Sequence, residues 1–197
     1  MKLKKILSLM LAAVMLLSAV AMPSYAEGTD ESEPARYAEV IDIMKSLGLT
    51  DSFSVEYETT NITRIEFVAA ILELSNRQIV KVDCPFSDVS EADKDLVGTA
   101  YRYGIIKGDG KVFRPNDILT FEEAVTMLVN LLGYSQFVPS IPGKAKILGI
   151  MDNVEYEPSK PVTAGEAVQM LFNTGSAHIC TTDGNGYVTE SDITVFD

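Results

Sequence analysis

Apolar and polar positions recur along this chain in one order, in three copies. Aligned on Thr63, Thr120 and Thr163, each copy has an apolar residue just before the threonine (Ile62, Leu119 or Val162) and a glutamate three residues after it (Glu66, Glu123 or Glu166). Valine follows at the fifth position, and Ile71, Leu128 or Leu171 at the eighth. Ile65, Val68, Ala69 and Leu72 continue the first copy at helical spacing. Thr-x-x-Glu ahead of such a run is a capping box. The threonine oxygen takes a first-turn amide, the glutamate reaches back to the threonine amide, and the preceding apolar residue staples onto Phe67, Ala124 or Ala167. The pattern predicts helices over about 63–75, 120–132 and 163–173.

Upstream, Leu47-Gly48-Leu49, Tyr103-Gly104-Ile105 and Leu148-Gly149-Ile150 each end a shorter helical stretch with a glycine suited to the position after a helix. Tyr37, Val40, Ile41 and Met44 mark the apolar face of the first such stretch. An extended loop follows, with Phe113-Arg114-Pro115 in the second copy and Tyr156-Glu157-Pro158 in the third. Residues 76–85 and 134–143 read as connections, the latter kept non-helical by its prolines. The threonine intervals are 57 and 43 residues, so the copies are related but unequal.

The first 26 residues change the picture. Lys2, Lys4 and Lys5 precede an uncharged and largely apolar run, Ile6 to Met22, closed by Pro23 and the small-x-small site Ser24-Tyr25-Ala26. This is the form of a cleaved secretory signal peptide, followed by a solvated acidic leader, EGTDESE. Without the three lysines, 13 Lys+Arg face 28 Asp+Glu, a formal charge of −15. That field disfavours nucleic acid and anionic membrane as bulk partners. An anionic ligand would have to be caught by a local cation. Cys84 and Cys180 could pair in an oxidising compartment, but two cysteines do not make a disulfide framework.

Sites of chemistry are sparse. His178 is the only histidine, and nothing near it completes a triad with Ser176 or a zinc site with Cys180 and Asp183. Gly108-Asp109-Gly110-Lys111 lacks the remaining spacing of a phosphate loop and reads as a turn. No two carboxylates are singled out as a glycosidase pair. Residues 181–192 have calcium-loop character, with Asp183, Asn185, Thr189 and Asp192 at ligand positions and Gly186 at the turn. Position one is Thr181, however, and Asp-Gly and Asn-Gly serve equally as hairpin turns. The final Thr194-Val195-Phe196-Asp197 is strand-like without an evident partner, and the tail, 176–197, reads as the start of a further region.

Residues 86–134 resemble an S-layer homology (SLH) repeat. Phe86-Ser87-Asp88-Val89, the stretch from Gly104 to Gly110, Phe113-Arg114-Pro115-Asn116-Asp117 and the threonine–glutamate box match that family in order and spacing. Ile62-Thr63-Arg64-Ile65-Glu66 is close to its signature pentapeptide. The resemblance implies a mostly α fold of three helix-loop-helix repeats, over 35–76, 86–134 and a weaker 135–175, in a pseudo-threefold arrangement with grooves between repeats. It implies a non-catalytic module without cofactors that binds an anionic secondary cell-wall polysaccharide. The protein would thereby be held on a Gram-positive envelope. Carried over by position, the glycan-binding residues are Arg64, Thr63, Glu66, Asp88, Gly104 and Gly108. The arginine slot is Phe121 in the second copy and Ala164 in the third. A guanidinium fork suits a carboxylate and would act beside free amides at a helix start. Alternatively, Arg64 is a solvent-facing first-turn residue. The matching functional alternatives are a protein-interaction scaffold and the anchor of a secreted hydrolase extending beyond residue 197.

Overall fold

The computed structural model describes residues 36–51, 59–108, 110–182 and 188–197. Among these residues it is helix-rich, with α1 (Ala38–Ser46), α2 (Arg64–Leu74), α3 (Lys94–Arg102), α4 (Phe121–Leu131), α5 (Ile141–Ile147) and α6 (Ala164–Gly175). A two-stranded antiparallel sheet, β1 (His178–Thr182) and β2 (Val188–Thr194), follows. The signal segment and acidic leader lie outside the described residues. No helix among the described residues is long and apolar enough to cross a membrane.

The three threonine–glutamate pairs all form capping boxes. In α2, Thr63 Oγ1 accepts from the Glu66 amide at 3.4 Å, while Glu66 Oε2 accepts from the Thr63 amide at 2.7 Å. The staple positions are sealed: Ile62, Leu119 and Val162, with Phe67, Ala124 and Ala167, are all buried.

The short helices stop as their glycines predict. Gly48, Gly104 and Gly149 have φ of 69°, 72° and 72°. The residue after each donates five positions back, to Met44, Ala100 and Ala145 respectively. This is a Schellman closure, and it needs the left-handed backbone that glycine adopts without a Cβ clash.

The extended residues before the long helices form a closed ring of backbone bonds. The Ile62 amide donates to Val162 O (3.0 Å), Val162 to Leu119 O (2.9 Å), and Leu119 to Ile62 O (2.9 Å). A second ring lies alongside it. The first amides of the three long helices, those of Arg64, Phe121 and Ala164, donate to Asp117, Lys160 and Thr60. Helix starts that would otherwise leave amides unpaired are thus satisfied by neighbouring segments. Around these rings α2, α4 and α6 touch one another, while α3 rests on α2, α5 on α4 and α1 on α6. The first helix therefore closes on the last long one. One apolar core runs through all three segments, with Met44, Phe67, Phe113, Phe121 and Leu128 fully buried.

Two sequence expectations are corrected here. Residues 134–143 are not wholly non-helical, because α5 begins at Ile141. Pro142 falls in its first turn, where no amide donor is needed, and Ser140 caps it through the Gly143 amide at 3.2 Å. The strand lies upstream of the expected run: β2 ends at Thr194, which pairs with His178, and Val195 and Phe196 form a turn. β2 pairs with β1 in the register Cys180–Glu190, Thr181–Thr189 and Thr182–Val188. The sheet is tied to the helices by the Cys180 amide on Leu132 O (2.7 Å), Lys144 on Glu190 (2.9 Å), and Phe196 against Gly175 and Phe172. Cys84 and Cys180 are free thiols.

Candidate functional site

The site rests on the loop between α3 and α4, and the Phe86-Ser87-Asp88-Val89 stretch pins that loop. Phe86 lies edge-on to Tyr101, with ring centroids 5.4 Å apart, and against Phe113 at 5.7 Å. Its ring covers the backbone of Gly108. The Ser87 amide donates to Lys111 O at 2.8 Å. Asp88 accepts from the amides of Phe113 (2.9 Å) and Arg114 (2.7 Å), holding the chain where Arg114 takes a φ of 60°. Val89 is buried.

Partial desolvation pushes the Asp88 pKa up, but the Phe113 and Arg114 amides outweigh it and hold the carboxyl below its usual value. A depressed carboxyl pKa stabilises the fold above the unfolded value, and that stability is lost as pH falls through the folded one. Wild type should therefore lose melting temperature in acid more steeply than Asp88→Asn, over about pH 5 to 2. Parallel slopes in thermal melts across that range would refute this role for the charge.

Arg64 meets this loop from α2. It is only 6% exposed. Its Nε donates to Phe113 O at 2.9 Å, Nη1 lies 2.6 Å from Glu123 Oε1, and the guanidinium sits over the Phe113 ring, 4.9 Å from its centroid. Arg64 is therefore not a solvent-facing first-turn residue. Nor does it act beside free amides. The Arg64 and Ile65 amides donate to Asp117 and Pro115, the Glu66 amide to Thr63 Oγ1, and the Phe67 amide to Thr63 O. What attraction remains for an anion comes from the side chains.

A groove of about 300 Å³ opens where α2, the α3–α4 loop and α4 meet. Arg64, Lys107 and Arg114 bring three cations to it, against Glu122 and Glu123, with Gly108, Thr126 and Asn130 also on its walls. It is thus locally positive in a strongly acidic chain. Glu123 does two jobs: Oε2 accepts from the Thr120 amide at 3.2 Å, while Oε1 holds Arg64 and, at 3.4 Å, Arg114. Two contacts leave part of the five-donor arginine fork uncommitted.

The equivalent slots are filled differently. Phe121 packs edge-on against Tyr156, centroids 6.1 Å apart, so an aromatic pair stands where Arg64 stacks on Phe113. Glu166 again splits its oxygens, accepting from the Thr163 amide (3.0 Å) and from Lys160 (3.1 Å). Ala164 is buried and brings no charge.

Among the residues expected at the site, the structure brings Arg64 and Gly108 into one groove. Thr63 and Glu66 form the cap that starts α2, Asp88 braces the loop, and Gly104 ends α3. Of the calcium-loop residues, Thr189 and Asp192 lie on β2, while Asp183 and Asn185 fall outside the described residues. Sequence reasoning missed Glu123 as the arginine's partner, and Lys107, Arg114 and Asn130 as wall residues. The spacing did carry a signal for Asn130, since Asn173 stands at the same distance, ten residues, from its threonine.

Residues 85–125 match the S-layer homology domain. Over 96 residues the chain is 40% identical to the exoglucanase XynX of Acetivibrio thermocellus, covering 45% of this chain and 9% of that protein. Over 79 residues it is 44% identical to an endo-1,4-beta-xylanase A of Thermoanaerobacterium saccharolyticum, covering 39% and 7%. A middle cell wall protein of Brevibacillus brevis is 28% identical over 191 residues, covering 86% of this chain and 18% of that protein. The chain thus spans less than a fifth of each of these relatives. Two hydrolases and a wall protein have this stretch in common. The pinned loop and the cap of α4 both fall within residues 85–125, the stretch of this chain that matches the S-layer homology domain.

Proposed function

We propose that the protein is a non-catalytic attachment module, exported by its signal segment, that binds an anionic secondary cell-wall polysaccharide in the Arg64 groove. The observation that carries this reading is the groove itself: three cations beside two carboxylates, in a chain of formal charge −12 overall. A carboxylate on the glycan would meet the uncommitted donors of Arg64, with Lys107 and Arg114 flanking it. Glu123 and Phe113 hold the guanidinium ready, so little ordering is left for the moment of binding. Three SLH-type repeats, 35–76, 86–134 and 135–175, around an approximate threefold axis are the arrangement we infer. The two hydrogen-bonded rings and the stacking of each short helix on a long helix of another segment support it.

Phe121 and Ala164 leave the other two interfaces without an arginine, so the reading is of one anion site rather than three. The same contacts that hold Arg64 also favour a second reading. A guanidinium already paired with Glu123 and Phe113 could serve the fold alone, leaving the module as a scaffold for surface proteins.

Co-sedimentation with purified Gram-positive sacculi separates the two, using sacculi with and without their secondary polymer. Wild type should pellet only with the polymer present, and Arg64→Ala should bind at least about tenfold more weakly, ~1.4 kcal/mol. Arg64→Phe is the second variant. It can stack on Phe113 as Phe121 does on Tyr156, so it keeps the packing while removing the charge. Equal binding by wild type and a folded Arg64→Phe would leave the scaffold as the better account.

A further inference from the structure

Among the described residues, two buried side-chain polar atoms have no hydrogen-bond partner: Asn130 Oδ1 and the Tyr156 hydroxyl. Only the asparagine lines the Arg64 groove. Asn130 is more than nine-tenths buried, and its Nδ2 donates to Ile105 O at 2.9 Å. That bond fixes the orientation of the amide. Turning it over would set Oδ1 against a carbonyl oxygen and gain nothing for the nitrogen. The orphaned group is therefore an acceptor in want of a donor, and buried acceptors are rarely left so.

The third segment shows what the vacancy corresponds to. Asn173 stands where Asn130 does, and its Nδ2 likewise reaches a short-helix end, Ile150 O at 3.1 Å, and also Asp152 O. Its Oδ1, however, accepts from Gln169 Nε2 at 2.9 Å, one helical turn earlier. The residue in the Gln169 position of α4 is Thr126, too short to reach, and its hydroxyl turns back onto Glu122 O at 2.7 Å. Where the third segment fills its own acceptor, the second leaves it unfilled on the wall of the positive groove.

We infer that Asn130 is a specificity-determining contact of this groove, accepting through Oδ1 a hydrogen bond from a sugar hydroxyl of the bound glycan, beside the anion met by Arg64. This rests on the glycan reading above and adds to it a requirement that charge alone does not impose. A site built to receive a donor rejects analogues lacking it more strongly than a purely apolar or charged wall would. A simple carboxylate would meet the arginine but leave the asparagine unpaired.

Thr126→Gln tests this by restoring the partner that Asn173 already has. Thr126→Met, of similar length without a donor, controls for bulk. Three readings are taken: melting temperature, sedimentation with polymer-bearing sacculi, and sedimentation with polymer-stripped sacculi. The glutamine variant should melt roughly 2–4 °C above the methionine variant. It should also bind polymer-bearing sacculi at least about tenfold more weakly than wild type, with methionine weakening binding by less than about threefold. Equal losses in the two variants would mean bulk, not the acceptor, is responsible, and would overturn the inference. Glutamine binding as wild type would also overturn it, with the glycan reading intact. No melting difference between the variants would mean Asn130 has no vacancy to fill, again overturning the inference without touching that reading. Failure of wild type itself to bind polymer-bearing sacculi would bring down the glycan reading, and the inference with it.

Discussion

Gly108→Ala is expected to destabilise the protein by about 2–5 kcal/mol, and Gly104→Ala by only about 1. Both glycines have positive φ, 69° and 72°, so both alanines pay the left-handed strain, partly offset by the stiffer unfolded chain. The difference lies in what the new methyl meets. At Gly104 there is nothing within 4 Å. At Gly108 an added Cβ would stand 2.1 Å from Phe86 Cε1, and the ring cannot simply step aside. Phe86 is buried and held between Tyr101 and Phe113, so moving it disturbs the loop that supports Arg64. Urea midpoints of the two variants would decide the matter. Similar losses at the two positions would show that strain alone matters, and Gly108→Ala/Phe86→Leu should recover part of the loss if the ring is the obstacle.

The second large effect is the coupling between Arg64 and Glu123. Arg64→Ala removes a guanidinium bonded at 2.6 Å and leaves a half-buried carboxylate, at a cost of about 2–4 kcal/mol. The figure sits below that for a fully buried pair because Glu123 is partly exposed and keeps Arg114 at 3.4 Å. Glu123→Ala loses the same pair together with the cap on α4. In a double-mutant cycle the two changes should therefore be non-additive by about 1–3 kcal/mol. Additivity within about 0.5 kcal/mol would mean that Arg64 contributes to the fold through Phe113 alone.

How much of this was legible in the sequence depended on how local each interaction is. The capping boxes and the glycines after α1, α3 and α5 are settled within a few residues, so spacing alone located them. Pro142 misled because a proline that interrupts a helix interior is well tolerated in a first turn, and only the cap at Ser140 tells the two apart. Arg64 was visible as a lone cation, but its environment was not. Phe113 and Glu123 reach it from 49 and 59 residues away, and Glu123 already had a complete local explanation as the third residue of a capping box. The amides beside Arg64 were expected to be free for the same reason: their acceptors, Asp117 and Pro115, come from the next segment. Asn130 carried a repeat signal, yet the signal acquires meaning only beside Gln169, whose counterpart is missing.

The ring through Ile62, Leu119 and Val162 bears on what this protein can change and still exist. A linear array of repeats can gain or shed a terminal unit, because each unit touches only its neighbours. Here every segment gives a bond to one partner and takes one from the other, so removing any of them strands a donor and an acceptor together. Changing the number of segments is closed off as a route of variation. Substitution at the position after each threonine is not, because that slot contributes only its backbone amide to the second ring, alongside the first, and its side chain is left to the interface. Arginine, phenylalanine and alanine occupy it in turn over the same hydrogen bonds. The side chains at the interfaces can therefore be exchanged one at a time on a frame whose segment number is fixed.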